Sequence, residues 1–143
     1  MNYYIVTLRR SNFEIIQENE FNMIGFSNRS KIADKIVAGD RFIIYLSGKS
    51  VVVGELEAKG PCTWDNTLVF DDIYPKRVDM RQVCILKEDS WIKMKKIKNG
   101  LSFIDPQNEK YGVYFMNTPK CISEKDYKYL KRFIEEASSP KKK

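Results

Sequence analysis

The stretch IIYLSGKSVVVG, Ile43 to Gly54, decides the fold. Its Gly48-Lys49-Ser50 triplet is how a nucleotide phosphate loop ends, and that loop has fixed requirements. A second glycine must stand five residues before Gly48, and a helix must open at Ser50 so that its backbone N–H groups cradle the anion. The residue five back is Ile43, and Ser50 is followed by Val51-Val52-Val53, β-branched residues that favour a strand. The triplet is therefore the turn of a β-hairpin, with Gly48-Lys49 at its centre as a type II′ turn requires. Strands are expected over 41–47 and 50–58.

The rest of the chain is built around that hairpin. Its 143 residues suit one domain, and 43% hydrophobic with 31% charged residues is globular rather than disordered. The longest apolar run is Phe42–Leu46, too short for a membrane span. MNYYIVTLRR has no basic start followed by an apolar stretch, so no export signal is expected and the location implied is cytoplasmic. Cys62, Cys84 and Cys121 form no CxxC pair, which argues against zinc and disulfides. The chain has no histidine, and with it goes the commonest general base. Asp71-Asp72 are adjacent, so on a strand they face opposite ways and make a poor acid–base pair. No catalytic residue, metal site or cofactor is expected.

Asn2–Leu8 is strand-like. Ser11 with Glu14 has the spacing of a capping box and opens a short helix ending near Asn19. Ile24 and Phe26 lie in a loop or short strand. Ile32 and Ile36, four apart before Gly39-Asp40, predict a second short helix. Residues 67–70 make a brief strand candidate, and Pro75 breaks the chain before a strand over Arg77–Leu86, with Val78, Met80 and Gln82 on one face. Trp91, Met94, Ile97 and Leu101 recur at helical spacing and place the lysines of WIKMKKIKNG on a helix with an inward apolar stripe. A last strand is expected over Tyr111–Asn117. The closing helix is capped by Ser123 and buries Tyr127, Leu130, Ile134 and Ala137. Residues 1–137 form one domain and 138–143 a basic flexible tail. Hairpins outnumber helix crossovers, which predicts an α+β fold: a mixed or antiparallel sheet curled into a small barrel and flanked by short helices.

Several pieces in order, YYIVTLRRSNFEII, IGFSNRSKIADKIVAGDRFIIYLSGKSVVVGELE, VFDDIYPKRVDM, LSFI and ISEKDYKYL, resemble the EVE domain of the PUA-like superfamily, related to the YTH readers of methyladenine. The resemblance is closest to stand-alone members of archaeal type. It implies a pseudo-barrel of five to six strands with a pocket at one end that takes a single, usually modified, nucleobase of DNA or RNA. By the resemblance, Phe26 stands at the first aromatic wall, where relatives often carry Trp, and Ser27 and Asn28 face the base edge. Phe13 also replaces a frequent Trp, and Trp64 is a second wall.

The same residues have ordinary roles too. Phe26 lies outside any apolar stripe, and is either a wall or core. Tyr45 either reaches the pocket or is core with one hydrogen bond. Trp64 is either a ligand contact or a lid over the barrel end, and Asn12 a cap or a ligand contact. Arg29 and Arg77 either meet phosphate or form surface ion pairs. Net charge is +6, and the basic block includes Lys93 and Lys96, placed to meet nucleic-acid phosphates or to lie on a solvated face. Three functions follow in order: a non-catalytic module binding one base of a nucleic acid, a general RNA- or protein-interaction module using the basic surface, and an enzyme acting on nucleotides or RNA.

Overall fold

The near-continuous apolar runs of the strands in the first half of the chain produce a sheet buried on both faces. The structure, a computed structural model, describes residues 1–68, 74–116 and 119–139. In chain order the elements are β1 (Tyr3–Leu8), α1 (Arg10–Glu18), β2 (Met23–Phe26), β3 (Arg41–Leu46), β4 (Val51–Ala58), β5 (Thr63–Trp64), β6 (Lys76–Ile85), β7 (Ile92–Lys93), α2 (Met94–Ile97), β8 (Lys120–Ile122) and α3 (Glu124–Ser138). The main strand order is β2-β6-β4-β3-β1-β8, with β5 against β6 and β7 against β4. β1 and β3 run parallel and the other pairs antiparallel. The fold is thus the expected α+β curled sheet with short helices. Among the described residues, no helix is long and apolar enough to cross a membrane.

Two cores lie on opposite sides of the sheet. Inside the curl, Tyr4, Val6, Phe42, Ile44, Leu56 and Met80 pack with Phe13 and Ile16 of α1 and Ile24 and Phe26 of β2. On the outer face, Ile5, Ile43, Tyr45 and Val52 are covered by Tyr127, Leu130 and Ile134 of α3, and by Met94, Ile97 and Phe115. Two bulges bend the central strands. Ile44 faces Gly54 and Tyr45 faces Val52, so Val53 is an extra residue in β4; on β6, Val83 is extra in the same way. A Cβ at Gly54 would lie 2.6 Å from the Cys84 carbonyl oxygen, which explains the glycine there.

Glu55 fastens α3 to the sheet. Its fully buried carboxylate accepts hydrogen bonds from Arg41 Nη1 at 3.0 Å, Lys131 Nζ at 3.0 Å and the Tyr127 hydroxyl. Burial leaves an acid stable only when it is paired in this way. The Ser123 cap is as expected, its hydroxyl accepting the Asp126 N–H at 3.1 Å.

Several local expectations are corrected. Leu46 pairs with Val51, so the hairpin turn is the four residues 47–50, not a two-residue turn centred on Gly48-Lys49. Gly48 and Ser50 both adopt positive φ there. The first helix begins at Arg10, and no side chain caps it. The second helix shrinks to a 3-10 turn over Ala33–Lys35, because Ile32 is exposed and no continuous stripe exists to bury. The lysine-rich block is broken into a 3-10 turn, β7 and the single turn of α2. Residues 111–115 form a 3-10 segment, not a strand, and the final strand is β8. Gln82, paired with Leu56 just before the β6 bulge, is exposed and does not join Val78 and Met80 in the core. Thr67 and Leu68 carry no strand; the remainder of that candidate, Asp71-Asp72 and residues 140–143 lie outside the described residues.

Candidate nucleic-acid interface

The curl brings the end of β1, the start of α1 and the end of β2 to one rim of the barrel. Between them is a hollow of about 140 Å³, lined by Val6, Thr7, Leu8, Arg9, Asn12, Ile16, Gly25, Phe26, Ser27 and Tyr74. The Phe26 ring is 4% exposed, its centre 6.3 Å from that of Phe42, so it borders the hollow while anchored in the inner core. Asn12 is buried beside it. Arg9 Nη2 donates to the Tyr74 hydroxyl at 3.3 Å, joining two sides of the rim.

The wall after Phe26 is a tight turn. The Ser27 hydroxyl accepts the Arg29 N–H at 3.1 Å, and the Ser27 carbonyl accepts the Ser30 N–H at 3.0 Å. Lys76 pins this turn to β6: its Nζ donates to the Ser30 carbonyl at 2.8 Å and to Asp34 Oδ2 at 2.9 Å. The hydrogen bond from Lys76 holds the Asp34 carboxyl below its ordinary range.

Two further hollows adjoin the first. One of about 390 Å³ is lined by Thr7, Arg9, Tyr45, Ser47, Gly48, Ser50, Gly112, Phe115 and Met116. The other, of about 530 Å³, is lined by Ser27, Arg29, Ser30, Lys31, Ile32, Met116 and Pro119. Thr7 and Arg9 are common to the first and second, Ser27 to the first and third, and Met116 to the second and third. The three make one belt along the rim. Among the described residues, Arg9, Arg29 and Lys31 line it and no carboxylate does. Such a belt attracts anions, because its charges are of one sign.

The residues singled out from sequence are distributed unevenly. Phe26, Ser27 and Asn12 meet at the first hollow. Tyr45 lies at the second, stacked on Phe115 with ring centres 4.1 Å apart; burial raises its hydroxyl pKa, and a hydrogen bond with Ser50 opposes that rise. Arg29 lines the third, and the exposed Asn28 lines none of the three. Trp64 is 60% exposed on β5 and also stands outside them. Arg77 is buried: its Nε donates to the Tyr74 carbonyl at 2.8 Å, and Nη2 to the Thr67 carbonyl. It fixes the backbone that carries Tyr74. Lys93 and Lys96 are exposed on β7 and α2, beyond the belt. Arg9, Lys31, Tyr74 and Met116 went unnoticed in the sequence. The Arg9-Arg10 pair after a strand was a visible signal; the others come together only through the fold. Among the described residues, no three His, Cys, Asp or Glu side chains gather to hold a metal.

No family model matches the chain, and no curated protein matches it in sequence. Solved structures do match. A protein from Agrobacterium tumefaciens is 22% identical, with a TM-score of 0.62 and 99% of this chain and 98% of that one covered. A Leishmania major protein is 17% identical, with a TM-score of 0.65 over 97% and 98% of the two chains. The Mmi1 YTH domain is 14% identical, with a TM-score of 0.68 over 96% and 97%; another structure of that domain, also similar to this chain, is a complex with RNA. At these identities the likeness is one of fold. The class defined is therefore a YTH-like α+β pseudo-barrel with a basic rim.

Proposed function

We propose that the protein is a non-catalytic nucleic-acid reader of the EVE branch of the PUA-like superfamily, taking one base, unpaired or flipped, into the hollow beside Phe26. The observation that carries this reading is the hollow itself: a space at the rim, edged by a fixed aromatic ring and polar Asn12 and Ser27, beside cations and, among the described residues, without carboxylates. Its volume of about 140 Å³ is close to that of an engineered apolar cavity, ~150 Å³, that admits benzene. One six-membered ring fits such a space. Stacking contributes about 1–3 kcal/mol per base, and phosphate contacts along the basic belt help offset the few kcal/mol that extracting a paired base costs. The RNA complex of the YTH-fold neighbour makes RNA the first probe, with DNA beside it.

Among the described residues the lining holds no carboxylate, imidazole or thiol, the usual side chains that move a proton. Reading a modification needs more than one buried methyl, which contributes only about 0.8 kcal/mol. The other half falls to contacts with the base edge, and the buried Asn12 and the Ser27 hydroxyl are the polar side chains in the lining nearest that task in kind.

Calorimetry with adenosine, cytidine, N6-methyladenosine and 5-methylcytidine, and with pentanucleotides carrying each, tests the proposal. Binding that is lost in Ser27→Tyr, which fills the mouth, supports it. Unchanged binding in that variant overturns it. The general-interaction alternative rests on a separate, open groove of about 600 Å³ holding Lys95, Lys98 and Tyr111. It is favoured if the charge-reversal pair Lys95→Glu and Lys98→Glu abolishes RNA binding while Ser27→Tyr does not.

A further inference from the structure

We infer that the second hollow seats the nucleotide adjoining the inserted base, so that the protein reads a two-nucleotide step of a single strand. This rests on the base-insertion reading above.

The two hollows adjoin, with Thr7 and Arg9 lining both. A strand whose base enters the first passes Arg9 on the way to the second, which puts the linking phosphate at the cation that, among the described residues, lines both. The second hollow, about 390 Å³ against 140 Å³, is roomy enough for a base and sugar lying across it rather than a ring inserted end-on. Its far wall is the hairpin turn. Gly48 sits at φ 85°, with nothing within 4 Å of where a Cβ would be, so backbone there is open to a ligand. The backbone N–H groups of Gly48, Lys49 and Ser50 make no hydrogen bond within the turn or to other loops of the described structure. Ser47 and Ser50 add hydroxyls.

The opposite wall is apolar and partly exposed. Met116 is 73% exposed at the rim, and Phe115 is held behind it by stacking on Tyr45 and by the Thr7 hydroxyl, which donates to the Phe115 carbonyl at 2.7 Å. One side of the hollow therefore suits a base face and the other a sugar–phosphate edge, with Arg9 between them. Methionine adapts to any base, so this seat adds affinity with little sequence preference.

Gly112 allows a clean test. It lines the second hollow but not the first, is exposed, and has nothing within 4 Å of the place a Cβ would take. Gly112→Phe fills the seat and Gly112→Glu gives it a negative charge. The probes are the four nucleosides above and the dinucleoside monophosphates that extend each on its 5′ or 3′ side. Wild type should bind one of the two extensions about 5- to 150-fold more tightly than the nucleoside, the span one added base contact gives. Both variants should keep nucleoside affinity and thermal midpoint and lose that advantage. Extensions that bind within about two-fold of the nucleoside in wild type, or an advantage that survives in Gly112→Phe, overturn the inference and leave base insertion standing. Absence of binding by every nucleoside and dinucleotide overturns base insertion and this inference with it.

Discussion

Phe26 serves the fold and the hollow at once, and substitution separates the two. Its ring is 4% exposed and packs toward Phe42, so Phe26→Ala removes a full core side chain. Deletions of that kind cost about 3–5 kcal/mol. A domain of 143 residues has roughly 7–20 kcal/mol of stability in total, at about 0.05–0.15 kcal/mol per residue. The alanine variant should remain mostly folded at 25 °C but unfold at much lower urea, and its binding must be measured where circular dichroism shows it native. Phe26→Leu is the sharper probe. It keeps most of the volume, costing under about 1.5 kcal/mol, and deletes the π-face. Losing a stack of about 1–3 kcal/mol weakens base affinity roughly 5- to 150-fold. Urea titration and nucleoside calorimetry on both variants read the two effects separately. Native Phe26→Leu with wild-type affinity for every base would show that the ring is no wall. A cost below about 1 kcal/mol for Phe26→Ala would show that it is not packed as described.

Other outcomes follow from the same structure. Glu55→Ala leaves Arg41 and Lys131 at the α3 seam without their shared acid and should cost about 3–5 kcal/mol in chemical denaturation. Burial first, then the hydrogen bond to Glu55 and its charge, push the Tyr127 hydroxyl above its ordinary 10.0. An unfolded tyrosine loses its proton earlier, so this contribution is complete below pH 10 and is lost as pH climbs beyond it. Tyr127→Phe should flatten that alkaline decline in a melting series, leaving the smaller share of Tyr4 and Tyr45, which burial also raises. Gly54→Ala forces a Cβ against the Cys84 carbonyl and should destabilise by about 1–3 kcal/mol, read from the urea midpoint. If the belt meets phosphates, Arg29→Glu with Lys31→Glu should weaken oligonucleotide binding and reduce its salt slope by about two, with nucleoside binding unchanged.

The hairpin and the closing helix were legible because local chemistry and packing agree in both. Val51-Val52-Val53 favours a strand and is one; Ser123 is placed to cap and does. Residues 111–116, the described part of the strand expected up to Asn117, failed for the opposite reason. Their aromatic and β-branched residues suit a strand, but among the described residues the segment joins no sheet. The segment instead turns so that Phe115 reaches Tyr45, and tertiary packing overrides propensity. The lysine-rich block had a helical period in Trp91, Met94, Ile97 and Leu101. Pairing of Ile92-Lys93 with β4, and the bond from Trp91 Nε1 to the Leu86 carbonyl at 3.2 Å, break that helix before it extends.

The rim was half legible for a reason of topology. Phe26 and Ser27 follow one another, and Asn12 follows the first strand, so local reasoning reaches them. Tyr74 meets Arg9 across 65 residues of sequence, and no local pattern joins them. The strand order puts β2 at one edge and β1 near the other, with β6, β4 and β3 between. In a flat sheet the ends of β1 and β2 would stand far apart, since neighbouring strands are about 4.8 Å from each other. Both line the same hollow, so the hollow exists only because the sheet curls, and the bulges at Val53 and Val83 are where the central strands bend. Gly54 lets those strands approach at the bend. The residues that make the opening possible are thus in the middle of the sheet, while the residues that would touch a base are at its rim. A single sequence displays the second set as an odd aromatic beside polar neighbours, and hides the first as a glycine inside a valine-rich strand.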